Sequence, residues 1–390
     1  MHSQVDKDVV IADLLVTGNN HVVFNASLLT IICKLYHDVT FNGEREHVQR
    51  VHAMVGCIEK VTFKPHESPV LPNSPVLKVI PWIKKKINDA RMAIEIVRQA
   101  DKKNTTVIFS CLSTTTLFVV SLIAARVKVP IYIVVHGEIE FLFINRLGFL
   151  KHLKGLLYKR VVHHLKPNVK LIVLSKFVRK SLLSKYSIEG KKILSIEHPI
   201  IQVETNRRSL AYPLQLAHIG SAMIKKNSGQ FFNLATALDH DIRRERLTFV
   251  LIGKDIDCVS RNDAVKRVLK SNQSIPADIY ESEIQKSHYA IFLFEEPNYV
   301  YRVSGAVMDC LIYNKPIIAL NHKYINYLFE EGGDIGFLCE NIEEIIETLK
   351  RLADNYSQFT SRYQKQQENL RLLASRFSVQ SVLKDLQRQL

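Results

Sequence analysis

One alternation governs the chain. Short apolar, β-branched runs are each followed by a helical pattern, and the series occurs twice, as expected of parallel α/β sheets. The first series predicts strands at Val9 to Val16, Val107 to Ser110, Ile131 to Val135, Leu171 to Leu174 and Ile193 to Ile196. Helices are expected over about Asn25 to Tyr36, Trp82 to Ala100 and Ser113 to Arg126. The pattern breaks between Ile200 and Pro213. It then restarts with runs at Leu214 to Gly220, Leu247 to Gly253, Tyr289 to Phe294 and Pro316 to Leu320. A final helical pattern, Gln358 to Leu390, is interrupted near Phe377-Ser378. The reading is an α/β chain of two Rossmann-like domains in series. Three first-series strands end at small or polar residues: His136-Gly137-Glu138, Ser175-Lys176 and His198-Pro199. In open parallel sheets, ligands bind at such strand ends.

A chain of 390 residues, 47% hydrophobic, is long enough for two or three domains with real cores and too apolar to be disordered. No run approaches the roughly 18 apolar residues of a membrane span. Met1 to Asp8 shows no basic segment leading into an apolar one, so no secretory signal is expected. Six widely scattered cysteines exclude a zinc ribbon or disulfide framework and fit a reducing compartment.

Charge is distributed unevenly. The formal net charge is +15, but residues 1–200 carry 29 Lys/Arg against 15 Asp/Glu, and residues 201–390 carry 24 against 23. Phe141 to Ile188 holds 11 basic residues and no acid. A one-sided excess of this kind points to one surface with an anionic partner.

Two stretches of the second series carry chemistry. In Gly220-Ser221-Ala222-Met223-Ile224-Lys225-Lys226-Asn227 a strand ends in a turn that delivers two lysines. In Tyr301-Arg302-Val303-Ser304-Gly305-Ala306-Val307-Met308-Asp309, followed by Lys315-Pro316-Ile317-Ile318-Ala319, a cation and Ser-Gly open a helix that leads into a strand. Backbone N–H groups at such a helix start favour an anion, and Gly305 lets it approach closely. The same residues are compatible with a solvated helix start and an ordinary N-capped helix.

Together these stretches resemble the GT-B glycosyltransferases, specifically the large family of predominantly retaining, nucleotide-sugar-dependent transferases (group 1). The resemblance implies two Rossmann-like domains facing a central cleft. It implies residues 1–203 on the acceptor side, 204–375 binding the donor, and a helix over 376–390 crossing back to the N-terminal domain. Ala374 to Val379 is similar to the family's closing break. In the donor domain, Lys226 takes the place of the family's phosphate-binding Lys, and Ser221 stands where an Arg is usual. Asp309 falls on the Glu that hydrogen-bonds ribose, and Tyr301 on the Glu that contacts the sugar. Arg302 would then supply the missing cation, with Gly220, Ser304 and Gly305 completing the donor site.

In the first domain, Gly18 and Asn19 lie at the first strand-to-helix turn, where relatives pass close to donor phosphates and acceptor. His136 sits where many relatives place an active-site His, and Glu138 is the other candidate base; Ser175 and His198 also stand at strand ends. Leu147, Leu150, Leu153, Leu157 and Val161 form a helical stripe flanked by Lys151, Lys154, Lys159 and Arg160, with Lys84-Lys85-Lys86 as a further basic run. This is either a helix lying in an anionic membrane interface or a buried helix with a solvated basic face. The resemblance favours the first, since such transferases commonly act on lipid-linked acceptors. No nucleic-acid-binding signature accompanies the charge.

The resemblance therefore implies a cytoplasmic, peripherally membrane-associated glycosyltransferase of polysaccharide or glycolipid biosynthesis. Its cosubstrate would be a nucleotide sugar, and no metal or other cofactor is expected. The alternative is a non-catalytic α/β protein that binds nucleotide or phosphoglycan. A nicotinamide-dependent oxidoreductase is disfavoured, because no strand leads into the spaced three-glycine turn.

Overall fold

A computed structural model describes residues 7–69, 79–142, 149–186, 188–205, 208–257, 259, 262–269 and 275–390. The chain divides into two compact units: Met1–Ile201 with Phe377–Leu390, and Gln202–Arg376.

Unit 1 runs β1 (Val9–Asp13), α1 (Val22–Ile32), β2 (Val39–Glu44), α2 (Arg45–Val55), β3 (Val61–His66), α3 (Val79–Lys103) and β4 (Thr106–Cys111). It continues with α4 (Thr114–Ile123), β5 (Ile131–Val135), α5 (Phe149–His163), β6 (Val169–Val173), α6 (Lys176–Lys185) and β7 (Ile193–Ser195). The seven strands form one parallel sheet in the order β3-β2-β1-β4-β5-β6-β7. Buried on both faces, β4 and β5 read as unbroken apolar or small runs rather than alternating ones. The strands β2 and β3 do not stand out in the sequence. Val39–Glu44 alternates buried and half-buried residues and contains Asn42 and Gly43, and β3 at the sheet edge carries Lys64 and Pro65.

Unit 2 runs β8 (Leu214–Ile219), α7 (Gly229–Ala237), α8 (Asp239–Arg243), β9 (Leu247–Ile252), β10 (Val265–Arg267), α9 (Ala277–Lys286) and β11 (Tyr289–Phe292). It closes with α10 (Gly305–Ile312), β12 (Ile317–Leu320), α11 (Lys323–Gly332), β13 (Gly336–Cys339), α12 (Ile342–Asp354) and α13 (Thr360–Arg376). Its six parallel strands are ordered β10-β9-β8-β11-β12-β13. In each sheet the order reverses once, beside β1/β4 and beside β8/β11. These switch points leave a crevice at the carboxyl ends of the strands. The unit 2 core joins Phe231, Phe249, Tyr289 and Tyr363 to the strand residues and to α12.

The break at Phe377-Ser378 returns the chain to unit 1. Ile200 donates its N–H to the Phe377 carbonyl at 2.9 Å, and Ser378 caps α14 (Val379–Gln387), which packs on α1. Beyond it, the Gln389 amide clips β7, accepting from Ser195 N and donating to Ser195 O, both at 2.9 Å.

Candidate functional site

The unit 2 site is built at the β8/β11 switch point. After β8, Gly220 turns the chain at φ +80°, a left-handed conformation that suits glycine. Its carbonyl presses on Gly253 after β9, where an added β-carbon would lie 1.9 Å from it. The two strand ends can approach this closely only with glycine at 253. A single turn, Ile224–Lys226, then ends at Asn227 in the left-handed region (φ 54°). Ser228 Oγ accepts from Met223 N at 2.9 Å and pairs with His218 Nε2 at 2.8 Å. Asn227 donates to Glu295 Oε1, in the loop after β11, at 2.8 Å. The loop is therefore pinned on both sides, and it folds the Lys226 ammonium back beside Gly220.

Burial depresses Lys226 to about 8, with the nearby charge of Arg302 adding to the fall and Asp309 opposing it. Burial, reinforced by Lys226, holds His218 down to about 3. Asp309 is pushed up to about 6 by burial, against the pull of a 2.6 Å hydrogen bond from Tyr280 Oη and the charge of Lys226. Two cations and one carboxylate thus share a poorly solvated crevice.

Arg302 is carried by a stack. Tyr299, at φ 59°, lies parallel to Phe294 with ring centroids 4.7 Å apart, and the Arg302 guanidinium sits 5.3 Å from the Tyr299 ring. His322 Nε2 donates to the Asn298 carbonyl at 2.9 Å, and Lys323 pairs with Glu296 at 2.8 Å, so the same loop is tied to the start of α11. A bulky residue in the left-handed region is a strained choice, and it falls at the ring on which Arg302 rests. Ser304 precedes α10 in an extended conformation but makes no side-chain cap, and Gly305 opens the helix into space where an added β-carbon would meet no atom within 4 Å. Packing alone does not call for glycine there. Tyr301 is half-buried next to Arg302.

The sequence motifs named Gly220, Tyr301, Arg302, Ser304, Gly305, Asp309 and Lys226 as candidates, and all lie at this switch point or in the loop and helix after β11. They missed Tyr280 on α9, which precedes β11 and lies 29 residues from Asp309. They also missed the Tyr299 platform and the Asn227–Glu295 bond. No motif marks these residues, because their role comes from helix and loop packing.

In unit 1, the loop from Leu14 to His21 rests on a buried polar cradle. Asp13 Oδ1 accepts from Leu15 N and Val16 N, and its Oδ2 from Asn25 Nδ2 and Ser110 Oγ, at 2.8–3.2 Å. Asn25 also donates to His47 Nε2 at 2.8 Å, which leaves the His47 proton on Nδ1 to donate to the Gly18 carbonyl at 3.0 Å. Gly18 N–H donates to Glu44 at 3.2 Å. Both polar groups of Gly18 are therefore engaged by the protein, and Asn19 stands exposed beside it. His136 follows β5; its Nε2 donates to the Ser110 carbonyl at 2.9 Å, and its ring stacks on His21 at 4.4 Å. Glu138 is half-buried in the turn Gly137–Leu142. Ser175 caps α6, accepting from Phe177 N. His198 packs on Phe24 and is held at about 4 by burial, with His21 adding to the fall.

The basic surface needs two corrections. Lys85 does not join the exposed Lys84 and half-buried Lys86: it is buried, bonding Asp89 at 3.0 Å and the Leu14 carbonyl at 3.3 Å. The leucine stripe is also rotated. Helix α5 buries Tyr158, Val161 and Val162, while Leu153 and Leu156 are 54% and 51% exposed. Lys154, Lys159 and Arg160 are exposed around them; the side chains of Leu150 and Lys151, and residue Leu147, lie outside the described residues. Helices α3, α4 and α5 pack in sequence, and α3 exposes Ile80 (67%), Trp82 (42%), Ile83 and Ile87. Lys86 is depressed by burial first, with Lys85 and then Lys154 of α5 adding to the fall. Among the described residues no helix is long and apolar enough to cross a membrane.

No protein-family model and no curated protein matches the sequence. The likeness is in three dimensions. A glycosyltransferase from Rickettsia africae superposes with a TM-score of 0.63 at 15% identity, over 99% of this chain and 98% of that one. TarM gives 0.66 at 11% identity, and Anabaena HepE in complex with UDP-glucose gives 0.66 at 11%, each over 98% of both chains. The chain has the GT-B fold. At these identities the likeness to other GT-B proteins is one of architecture, so what this GT-B chain does has to be argued from its own side chains.

Proposed function

We propose that the protein is a glycosyltransferase that moves a sugar from a nucleotide sugar to a glycan or lipid-linked acceptor. The observation that carries this is the convergence of Lys226, Arg302 and the open first turn of α10 at one switch point, with Asp309 behind them. In the transfer, the bond between the sugar's anomeric carbon and the donor phosphate breaks, and the nucleoside diphosphate leaves with the electron pair. The acceptor hydroxyl forms the new bond and gives its proton to a base. Negative charge grows on the diphosphate as the bond breaks, so preorganised cations and helix N–H groups in a poorly solvated crevice stabilise the transition state more than the ground state. Asp309, oriented by Tyr280, has the chemistry to accept from ribose hydroxyls, and Tyr301 offers the sugar a ring and a hydroxyl in place of a carboxylate. His136 and Glu138 are the candidate bases in unit 1. Structural relatives support this reading, one of them solved with UDP-glucose. Protein cations can neutralise the diphosphate in this scheme without a metal.

The same proposal places the acceptor at the cytoplasmic face of a membrane, in polysaccharide or glycolipid biosynthesis. The support is the surface of α3 and α5, where Trp82, Ile80, Leu153 and Leu156 stand out among Lys84, Lys154, Lys159 and Arg160. Each such cation near an anionic bilayer contributes about 1 kcal/mol, and the apolar side chains add burial in the interface.

The test is a panel of nucleotide sugars screened by thermal stabilisation, followed by a transfer assay with the one that binds. Lys226→Ala and Arg302→Ala are expected to abolish stabilisation and cut turnover severely while leaving the unliganded melting temperature nearly unchanged. Binding without transfer to any acceptor would favour the non-catalytic alternative. Wild-type turnover in both variants would remove the donor-site assignment.

A further inference from the structure

Unit 2 has a cavity at the C-terminal end of α10, away from the crevice that the first turn of that helix faces. Its volume is about 450 Å³, within the roughly 300–1,000 Å³ of small-molecule sites, and every residue that lines it belongs to unit 2. Leu311 and Ile312 close α10 on one side; residues 202–205 and the later turns of α13 form the other walls. Eight residues of helix, about 12 Å, separate the two ends of α10, so a ligand here does not occupy the place of the donor diphosphate.

Two adjacent glutamines on α13 differ in a telling way. Gln366 is fully buried, and its amide is served by the protein: it donates to Asp334 Oδ1 at 2.9 Å and to the Gly336 carbonyl at 3.1 Å. Gln367, only 5% exposed, lines the cavity instead, and its Oε1 has no hydrogen-bond partner among the described residues. A buried amide oxygen left unpaired is costly, and native proteins seldom keep one without a ligand or an ordered water to serve it. Methionine has a similar shape and would pack on α13 without that cost. The opposite wall is also fixed. Asn314, in the left-handed region at φ 50°, donates its Nδ2 to Thr205 Oγ1 at 2.7 Å, which leaves the threonine its own proton to donate.

The lining selects for a neutral, hydroxyl-rich ligand. Arg371 and Glu368 are paired with each other, Nε to Oε2 at 3.1 Å, and Glu204 is exposed, so the buried polar group is a neutral amide. The aliphatic carbons of Leu311 and Ala374 stand among the amides and hydroxyl of Gln202, Thr205, Asn314 and Gln367. A pyranose has the matching surface, with C–H faces and a rim of hydroxyls that each donate and accept. We propose that this cavity binds a neutral saccharide unit through Gln367 and Thr205, at a place separate from the nucleotide-sugar crevice. On the transfer reading given above, the site holds one sugar of a glycan acceptor and so raises the effective concentration of a long acceptor chain. Only this consequence rests on that reading; the binding does not.

The test is saturation-transfer NMR on the full chain with glucose, N-acetylglucosamine, maltotriose and chitotriose, with and without uridine diphosphate. At least one saccharide should saturate in the millimolar range expected of a small polar ligand, whether or not the nucleotide is present. Gln367→Met and Thr205→Val should each weaken it at least about tenfold. No saturation by any of the four, displacement by uridine diphosphate, or unchanged affinity in Gln367→Met overturns the site. Tighter binding of glucose 6-phosphate than of glucose overturns it too, as does binding of spermidine that is lost in Gln367→Met, since the ligand would then be charged. If Gln367→Met does not fold, Thr205→Val decides alone, and unchanged affinity there overturns the site. In the transfer assay, Gln367→Met should raise KM for a long glycan acceptor several-fold and leave KM for the nucleotide sugar as it was. An unchanged acceptor KM overturns the tethering role, and the NMR result stands or falls separately.

Discussion

The ammonium of Lys226 stands 3.3 Å from the point where a β-carbon on Gly220 would lie. Gly220→Ala therefore does two things at once: it strains a backbone at φ +80° and pushes on the cation. We expect a stability loss of about 1–2 kcal/mol from the backbone. Affinity for nucleoside diphosphate should fall at least about tenfold, the effect of losing roughly 1.4 kcal/mol of binding. Chemical denaturation and calorimetric titration check the two parts separately. Unchanged affinity would show that Lys226 does not touch the ligand.

The protonation of the unit 2 crevice predicts how binding depends on pH. Lys226, lowered to about 8, is charged below that pH and loses its charge above it. Asp309, raised to about 6, is ionised above that pH and neutral below it. Nucleoside diphosphate affinity should peak between about 6 and 8, after correction for the ligand's own titration. Lys226→Arg should extend the alkaline limb, since a guanidinium stays charged. Tyr280→Phe removes a bond that lowers Asp309, so the acid limb should move to higher pH. Titration calorimetry across a pH series reads both shifts.

The α3–α5 surface predicts an ionic-strength-dependent affinity for anionic vesicles. Leu153→Glu with Leu156→Glu should abolish vesicle binding, and Lys154→Glu with Lys159→Glu should weaken it by roughly 2 kcal/mol or more. Sedimentation with phosphatidylserine-containing vesicles at low and high salt measures this. Nucleotide-induced thermal stabilisation should be unaffected in all four substitutions, since none belongs to unit 2.

Asp13 predicts a purely structural cost. Its carboxylate accepts four hydrogen bonds under the Leu14–His21 loop and is fully buried. Asp13→Asn turns an amide toward donors that need an acceptor, at a cost of about 2–3 kcal/mol. The urea midpoint should fall with an unchanged slope. A stability within about 0.5 kcal/mol of the wild type would mean that the loop does not depend on this cradle.

The sequence disclosed those parts of the fold whose residues repeat a local signal. Ile131–Val135 is buried at all five positions, and its expected and observed ends coincide because an apolar run has clear edges. The break at Phe377-Ser378 was equally visible, since Ser378 is a cap between two helices. The strands β2 and β3 carried no such signal. Lys85 illustrates a different limit. Its place in a Lys84-Lys85-Lys86 run suggested exposure, but helical geometry turns each successive residue by about 100°. The middle lysine faces inward, and Asp89, one turn on, meets it there. The motifs singled out Lys226 and Asp309 as candidates, but the partners that set their charge states, Tyr280 above all, come from elements that meet only in three dimensions.

The bond from Ile200 to Phe377, with α14 and the Gln389 clip beyond it, means that unit 1 is completed by residues made after all of unit 2. Unit 2, a single uninterrupted stretch, emerges from the ribosome whole and can settle at once. Unit 1 must wait, its sheet formed but α1 uncovered and β7 unclipped, for the 175 residues from Gln202 to Arg376 to be translated. At roughly 5–20 residues per second that is an interval of about ten to thirty-five seconds. The first half to be synthesised is thus the last to be finished.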